Sequence, residues 1–188
     1  MDNILSWSIL IISLIAMLYA AFIIKNEKSD ALDSAVDLKF YGLVFPIPRW
    51  WTKTSESENQ ITYERKDTRY DWKATFTHLV DLDQQKSLQN IFEEIAIERN
   101  LIFDKDRAII HSPKELKNLY ENEVEALRVE GTATQNSEKR LYYDGLVIRA
   151  PKGILFLESK ASVLNGLLEG PFFEQMIENI KLENDTDA

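Results

Sequence analysis

The sequence predicts an α+β fold, an antiparallel sheet with packed helices, preceded by one N-terminal transmembrane helix. Three observations carry this expectation. Residues 1–24 hold a single charged side chain, Asp2, among Ile- and Leu-rich residues. Several later segments alternate apolar and polar residues with the period of two that a half-buried strand requires. Two others, 88–95 and 172–180, place apolar residues at the three- and four-residue spacing of a helix face.

The first helix is expected over residues 4–24, which carry no charge. About 20 such residues, rising 1.5 Å each, cross the roughly 30 Å hydrocarbon core of a bilayer. Ser6, Ser8 and Ser13 can bond back to the helix backbone, and Trp7 and Tyr19 lie toward its two ends. A cleaved signal peptide would need a basic leading region and a small-residue cleavage context, whereas Ala20-Ala21 runs on into Phe22, Ile23 and Ile24. The reading is therefore a retained anchor over 1–24. Lys25, Lys28 and Lys39 follow it and no Lys or Arg precedes it, which by the positive-inside rule favours the cytoplasm over the periplasm for the rest of the chain, as in a single-pass bacterial inner-membrane protein.

Residues 25–37 are polar and read as a tether or a frayed continuation of the helix, and 38–183 as one folded domain followed by a short tail, 184–188. Within the domain, 40–45 is an apolar stretch closed by Pro46 and Pro48. Residues 60–65 alternate, and 72–80 alternate more strictly, with Trp72, Ala74, Phe76, His78 and Val80 on one face. Leu88, Ile91, Phe92 and Ile95 then form a helical stripe capped by Asp83 or Ser87. Residues 107–111 suggest a short strand, and 114–122 suit either a helical turn or a loop. From 124 the apolar parity switches between Ala126 and Leu127, which predicts a β-bulge there. Strands at 141–148 and 154–157 flank Ala150-Pro151-Lys152-Gly153, a tight turn with Pro at its second position. Gly170-Pro171 should end a turn at 163–168 and open the last helix.

The chain has 31 acidic and 22 basic residues, a formal charge of −9, and no cysteine. Disulfides, zinc-thiolate sites, iron–sulfur clusters and a cysteine nucleophile are thereby excluded, and nucleic acid, which demands a basic footprint, is a poor partner. No phosphate-loop, dinucleotide, zincin or nucleophile-elbow motif occurs, so no catalytic residue, cofactor, metal ligand or small-molecule substrate is expected. His78 and His111 have no ligand-spaced partners, and His78 reads as structural. Asp81 with Asp83, and Asp104 with Asp106, suit caps and turns better than a calcium loop, and Arg65, Lys66 and Arg69 suit a solvated hairpin tip. The triplet Asn184-Asp185-Thr186 is read as a coincidental match to a glycosylation acceptor. The aromatic pairs are the candidate protein interface. Trp50 and Trp51 are adjacent at a Pro-rich turn and point opposite ways in extended chain, so either both are packed, the second beneath a neighbouring loop, or one is an anchor at an interface; Tyr142-Tyr143 repeats the arrangement.

The segment Tyr41-Gly42-Leu43-Val44-Phe45-Pro46-Ile47-Pro48-Arg49-Trp50-Trp51 resembles the opening of PsbP- and DcrB-like (Mog-type) domains, a strand running into a Pro-x-x-Trp turn. The closing segment, from Phe172-Phe173-Glu174 to Ile180-Lys181-Leu182, is similar to their last helix and final short strand. The resemblance covers about residues 39–183. It implies an α/β/α sandwich around a twisted antiparallel sheet and a binding or assembly role. Members include a photosystem-associated subunit, a Ran-binding import factor, bacterial envelope lipoproteins and secretion-effector chaperones.

The resulting expectation is a non-catalytic domain tethered to a membrane by residues 4–24, acting as an accessory or assembly subunit with a protein partner. A chaperone-like domain sheltering apolar segments of a client is the alternative, and a hydrolase using paired carboxylates a remote one.

Overall fold

A computed structural model describes residues 2–65, 71–80, 82 and 85–183. Asp81, Asp83, Lys66, Arg69 and the triplet at 184–186 lie outside the described residues. The chain begins with helix α1, Asp2–Asp33. Residues 25–33, expected as part of a tether, continue this helix because they contain neither Gly nor Pro to break it. Ala31 is buried, and Ser34 closes the end by bonding to the Asp30 carbonyl from both its amide and its hydroxyl.

The expectation of a membrane-crossing helix is not sustained. Among the described residues, no helix is long and apolar enough to cross a membrane.

Two strands follow, β1 Val36–Phe40 and β2 Leu43–Ile47. The predicted single stretch 40–45 is thus a hairpin. Tyr41 (φ 48°) and Gly42 (φ 83°) both occupy the left-handed region, as a two-residue turn matching strand twist requires. Pro46 is tolerated inside β2 because the final strand, Lys181–Leu182, pairs only with Val44 and Leu43 on that side. After Pro48 come β3 Thr52–Glu56, β4 Gln60–Glu64 and β5 Trp72–Leu79. β3 has no apolar alternation, and its residues are exposed. It is an edge strand whose lysine and register shift between Lys53 and Ser55 discourage further pairing.

Helix α2, Leu88–Glu98, takes Ser87 as its cap, the Ser87 hydroxyl accepting from the Asn90 amide at 3.2 Å. Short strands β6 Leu101–Phe103 and β7 Ala108–His111 and helix α3 Lys117–Glu121 lead to the long meander β8 Ala126–Gln135, β9 Lys139–Ala150 and β10 Gly153–Ala161. The chain closes with α4 Val163–Glu178 and β11 Lys181–Leu182. Pro171 lies inside α4 instead of starting a helix: buried Phe173, Met176 and Ile177 hold the helix to the sheet through the missing hydrogen bond.

The main sheet is antiparallel in the order β3-β4-β5-β10-β9-β8-β6, with β7 also on β8, and β1-β2-β11 form a second sheet. The fold is therefore α+β, as predicted. One face of the main sheet carries Tyr63, Phe76, Leu146, Ile148 and Leu157. It is covered by α3, α4 and the small sheet through Leu116, Leu119, Phe173, Ile177, Leu43 and Phe45. The opposite face carries Val129, Tyr143, Val147, Ile154 and Phe156 under Leu88, Ile91, Phe92 and Ile95 of α2.

The expected bulge at Ala126-Leu127 is absent. β8 keeps an unbroken register with β9 from Ala126↔Ile148 to Gln135↔Lys139. The parity switch has another cause: both faces of β8 are covered there, Ala126 lying in the first core and Leu127 and Val129 in the second.

α4 approaches β9 so closely at Gly166 that a Cβ there would lie 2.5 Å from Tyr142 Cβ. Gly166→Ala would gain about 1 kcal/mol of helix propensity but force overpacking that costs about 1–3 kcal/mol. We expect net destabilisation, read as a lower urea midpoint.

Candidate functional site

α2 covers only the β8–β10 half of its face. Beyond Phe156 the rows across β10, β5 and β4 turn polar: Glu158 stands opposite Thr75 and Thr62, and Lys160 opposite Lys73 and Glu64. These rows floor a cleft of about 320 Å³, walled by Arg99, Gln135, Lys139 and Asp71. Strand alternation puts Glu158 and Lys160 on this face, and the end of α2 delivers Arg99 to it.

Glu158 is buried at 4 % exposure, in the central strand of the sheet. Three groups converge on it. Arg99 Nη1 pairs with Oε1, and Lys160 Nζ lies 3.0 Å from Oε2. The Tyr143 hydroxyl donates to Oε2 at 3.2 Å. Arg99 also lies over the Phe156 ring, its Cζ 4.9 Å from the centroid. Burial pushes the Tyr143 hydroxyl well above its ordinary value, with the Glu158 charge adding to the effect. Burial lowers the Lys160 ammonium, and Glu158 opposes that shift. At the rim Lys139 pairs with Asp71, and Lys73 stands 3.9 Å from Glu64.

On the opposite face lies a second buried pair. Arg128 grips Asp144 in bidentate fashion, Nε to Oδ1 at 3.1 Å and Nη2 to Oδ2 at 2.8 Å, with Glu130, Glu174 and Glu115 around it. Burial raises the Asp144 carboxyl to about 6; Arg128 works against the rise, and Glu130 and Glu174 add to it. Through Glu174 this cluster ties α4 to the sheet.

The predicted interface residues fall elsewhere. Trp51 is buried against Trp72, ring centroids 4.4 Å apart, and Tyr143 is wholly buried beneath α2. Neither presents a surface anchor. Trp50 is half-buried edge-on to Phe172 at 5.1 Å, and Tyr142 is half-buried against α4 with its hydroxyl on Glu130. The opposite-pointing expectation describes both pairs, but the inner member of each is core and the outer member packs on α4. Among the described residues the Trp50 and Trp51 indole N–H groups are buried without hydrogen-bond partners. His78 stacks on Tyr41 at 3.7 Å, and Asp104 accepts from Thr132 and Arg140. Among the described residues no cluster of three metal-ligating side chains exists.

The sequence reading missed Glu158, Arg99, Lys160 and Lys73. One signal could have found the first: Glu158 follows four apolar residues in a strand and shares a face with Ile154 and Phe156. A carboxylate in such a position needs cationic partners.

Neither a family model nor a curated protein matches the chain. A solved structure of a protein of unknown function from Pseudomonas aeruginosa, PA94, described as a proposed regulator, is similar in fold. The TM-score is 0.50 at 8 % identity, over 81 % of this chain and 99 % of that one. The expected kinship with PsbP- and DcrB-like domains is accordingly withdrawn. No family model supports it, and the likeness that is found shows a shared fold alone.

Two outcomes are expected. Glu158→Ala leaves Arg99 and Lys160 facing each other without a counter-charge, and should cost about 3 kcal/mol in chemical denaturation. For Asp144, the folded value of about 6 exceeds the unfolded 3.8, so the native state binds the extra proton. Its contribution to stability is complete below about pH 4 and is lost as pH rises through about 6. Urea midpoints of wild type and Asp144→Asn across that range should differ in slope, the variant lacking this loss.

Proposed function

We propose that the protein is a non-catalytic binding domain held at a membrane by its apolar segment 4–24, serving a membrane-associated complex as an accessory or assembly subunit. The observation that carries this reading is the uncovered apolar surface of α1. Its large side chains from Trp7 to Phe22 are exposed on every side, from 53 % at Ile11 to 70 % at Met17. A helix apolar all round needs an apolar phase around it, and the domain supplies none. Because α1 runs on as helix to Asp33 and packs against α4, the domain is held close to the membrane in a restricted orientation. Tethering raises the effective concentration of a partner in the same membrane, so a weak interface suffices.

The cleft supports binding over catalysis. Its two carboxylates are both ion-paired, Glu158 with Arg99 and Lys160, Asp71 with Lys139. The open half of the sheet is lined by Thr62, Thr75, Gln60 and Lys73, which gives an apolar client nothing to bury against.

Membrane fractionation of the full chain tests the attachment. The protein should stay in the pellet through a high-salt wash, and Leu14→Lys with Leu18→Lys should release it. Release of the wild type by salt alone would overturn the tether. Capture in mild detergent at native expression should bring down a membrane partner; recovering the protein alone, repeatedly, would remove the accessory role.

A further inference from the structure

We propose that the cleft over β4, β5 and β10 is a binding site for a small polyanion carrying carboxylate or phosphate groups. The chain as a whole carries −9, so its general field repels anions. The cleft reverses that sign locally. Lys73, Arg99 and Lys160 converge on its floor and wall, and Glu158 is the one carboxylate among them, since Asp71 is matched by Lys139 at the rim. Glu64, 3.9 Å from Lys73, is the other nearby acid.

The cations are also held for the purpose. Both oxygens of Glu158 are engaged from within, Oε1 by Arg99 and Oε2 by Lys160 and Tyr143. This fixes the Arg99 and Lys160 heads in place while leaving them N–H groups beyond those used on Glu158. Their side chains are only 24 % and 20 % exposed, so an incoming anion meets them in a partly desolvated setting where charge attraction is stronger than in water. Burial already depresses the Lys160 ammonium, and a bound anion would relieve that cost. Thr62 and Thr75, side by side on the floor, add hydroxyls that can donate to oxygen. A cleft near 320 Å³ lies at the small end of small-molecule sites, which fits a compact ligand with several charges. The inference stands apart from the membrane attachment, since every residue it uses lies in the folded domain.

Calorimetric titration of the full chain in a neutral detergent, with citrate and with inorganic pyrophosphate as probes, tests it. One saturable site with Kd below about 1 mM is expected for at least one probe. Response to citrate alone marks a carboxylate ligand, and response to pyrophosphate alone a phosphate ligand. Lys73→Gln, half-exposed and safe for folding, should weaken binding about tenfold. Lys53→Gln, a cation of edge strand β3 outside the cleft, should leave it unchanged. Absence of saturable binding for both probes, or equal weakening by the two variants, would overturn the site.

Discussion

A carboxylate in the middle of the central strand constrains much of this molecule. β10 is buried along nearly its whole length, yet it carries Glu158 among Leu157, Phe156 and Ser159. An unpaired charge there would cost several kcal/mol, so the chain surrounds it with Arg99, Lys160 and Tyr143, drawn from the end of α2, from the same strand and from its neighbour β9. The arginine sits at the C-cap of α2, so neutralising the charge and seating the helix are one event. Where α2 stops, the apolar cover of that face stops too, and the cleft begins.

The other face follows a different rule. It is covered along its length by α3, α4 and the small sheet, with aromatic contacts such as Phe45 on Phe76 and Trp51 on Trp72. Its buried charges, Arg128 and Asp144, are closed off under α4 and serve packing. The two faces thus divide the work: one makes the core, the other makes half a core and half a binding surface. α4 also receives the end of α1, so the apolar helix and the folded domain share one joint.

The secondary structure was legible wherever one face of an element met solvent. The stripe of α2, its Ser87 cap and the Pro151-Lys152 turn between β9 and β10 all follow from local pattern. Reading failed where both faces are covered or where an element has no apolar signal. β8 mimics a bulge because two cores claim its alternate residues, and β3 is a strand by pairing alone, with nothing but polar side chains. Pro171 misled because tertiary burial of Phe173 and Ile177 outweighs one lost hydrogen bond. For the adjacent aromatics, alternation fixes which way Trp51 and Tyr143 point but not what lies there, and both point into the core.

By itself the sequence determined the α+β class, the acidity of the folded part and the uncharged stretch near its start. These are properties of composition and short-range periodicity, which need no knowledge of neighbours. The tertiary structure alone decided that Glu158, Arg99, Lys160 and Lys73 meet. They come from a helix end and two strands, as much as 87 residues apart along the chain, as the Trp72–Ser159 bond between those same strands illustrates. Charge pairing across such separations is set by sheet register and by where a helix ends, and no local pattern in the chain encodes either.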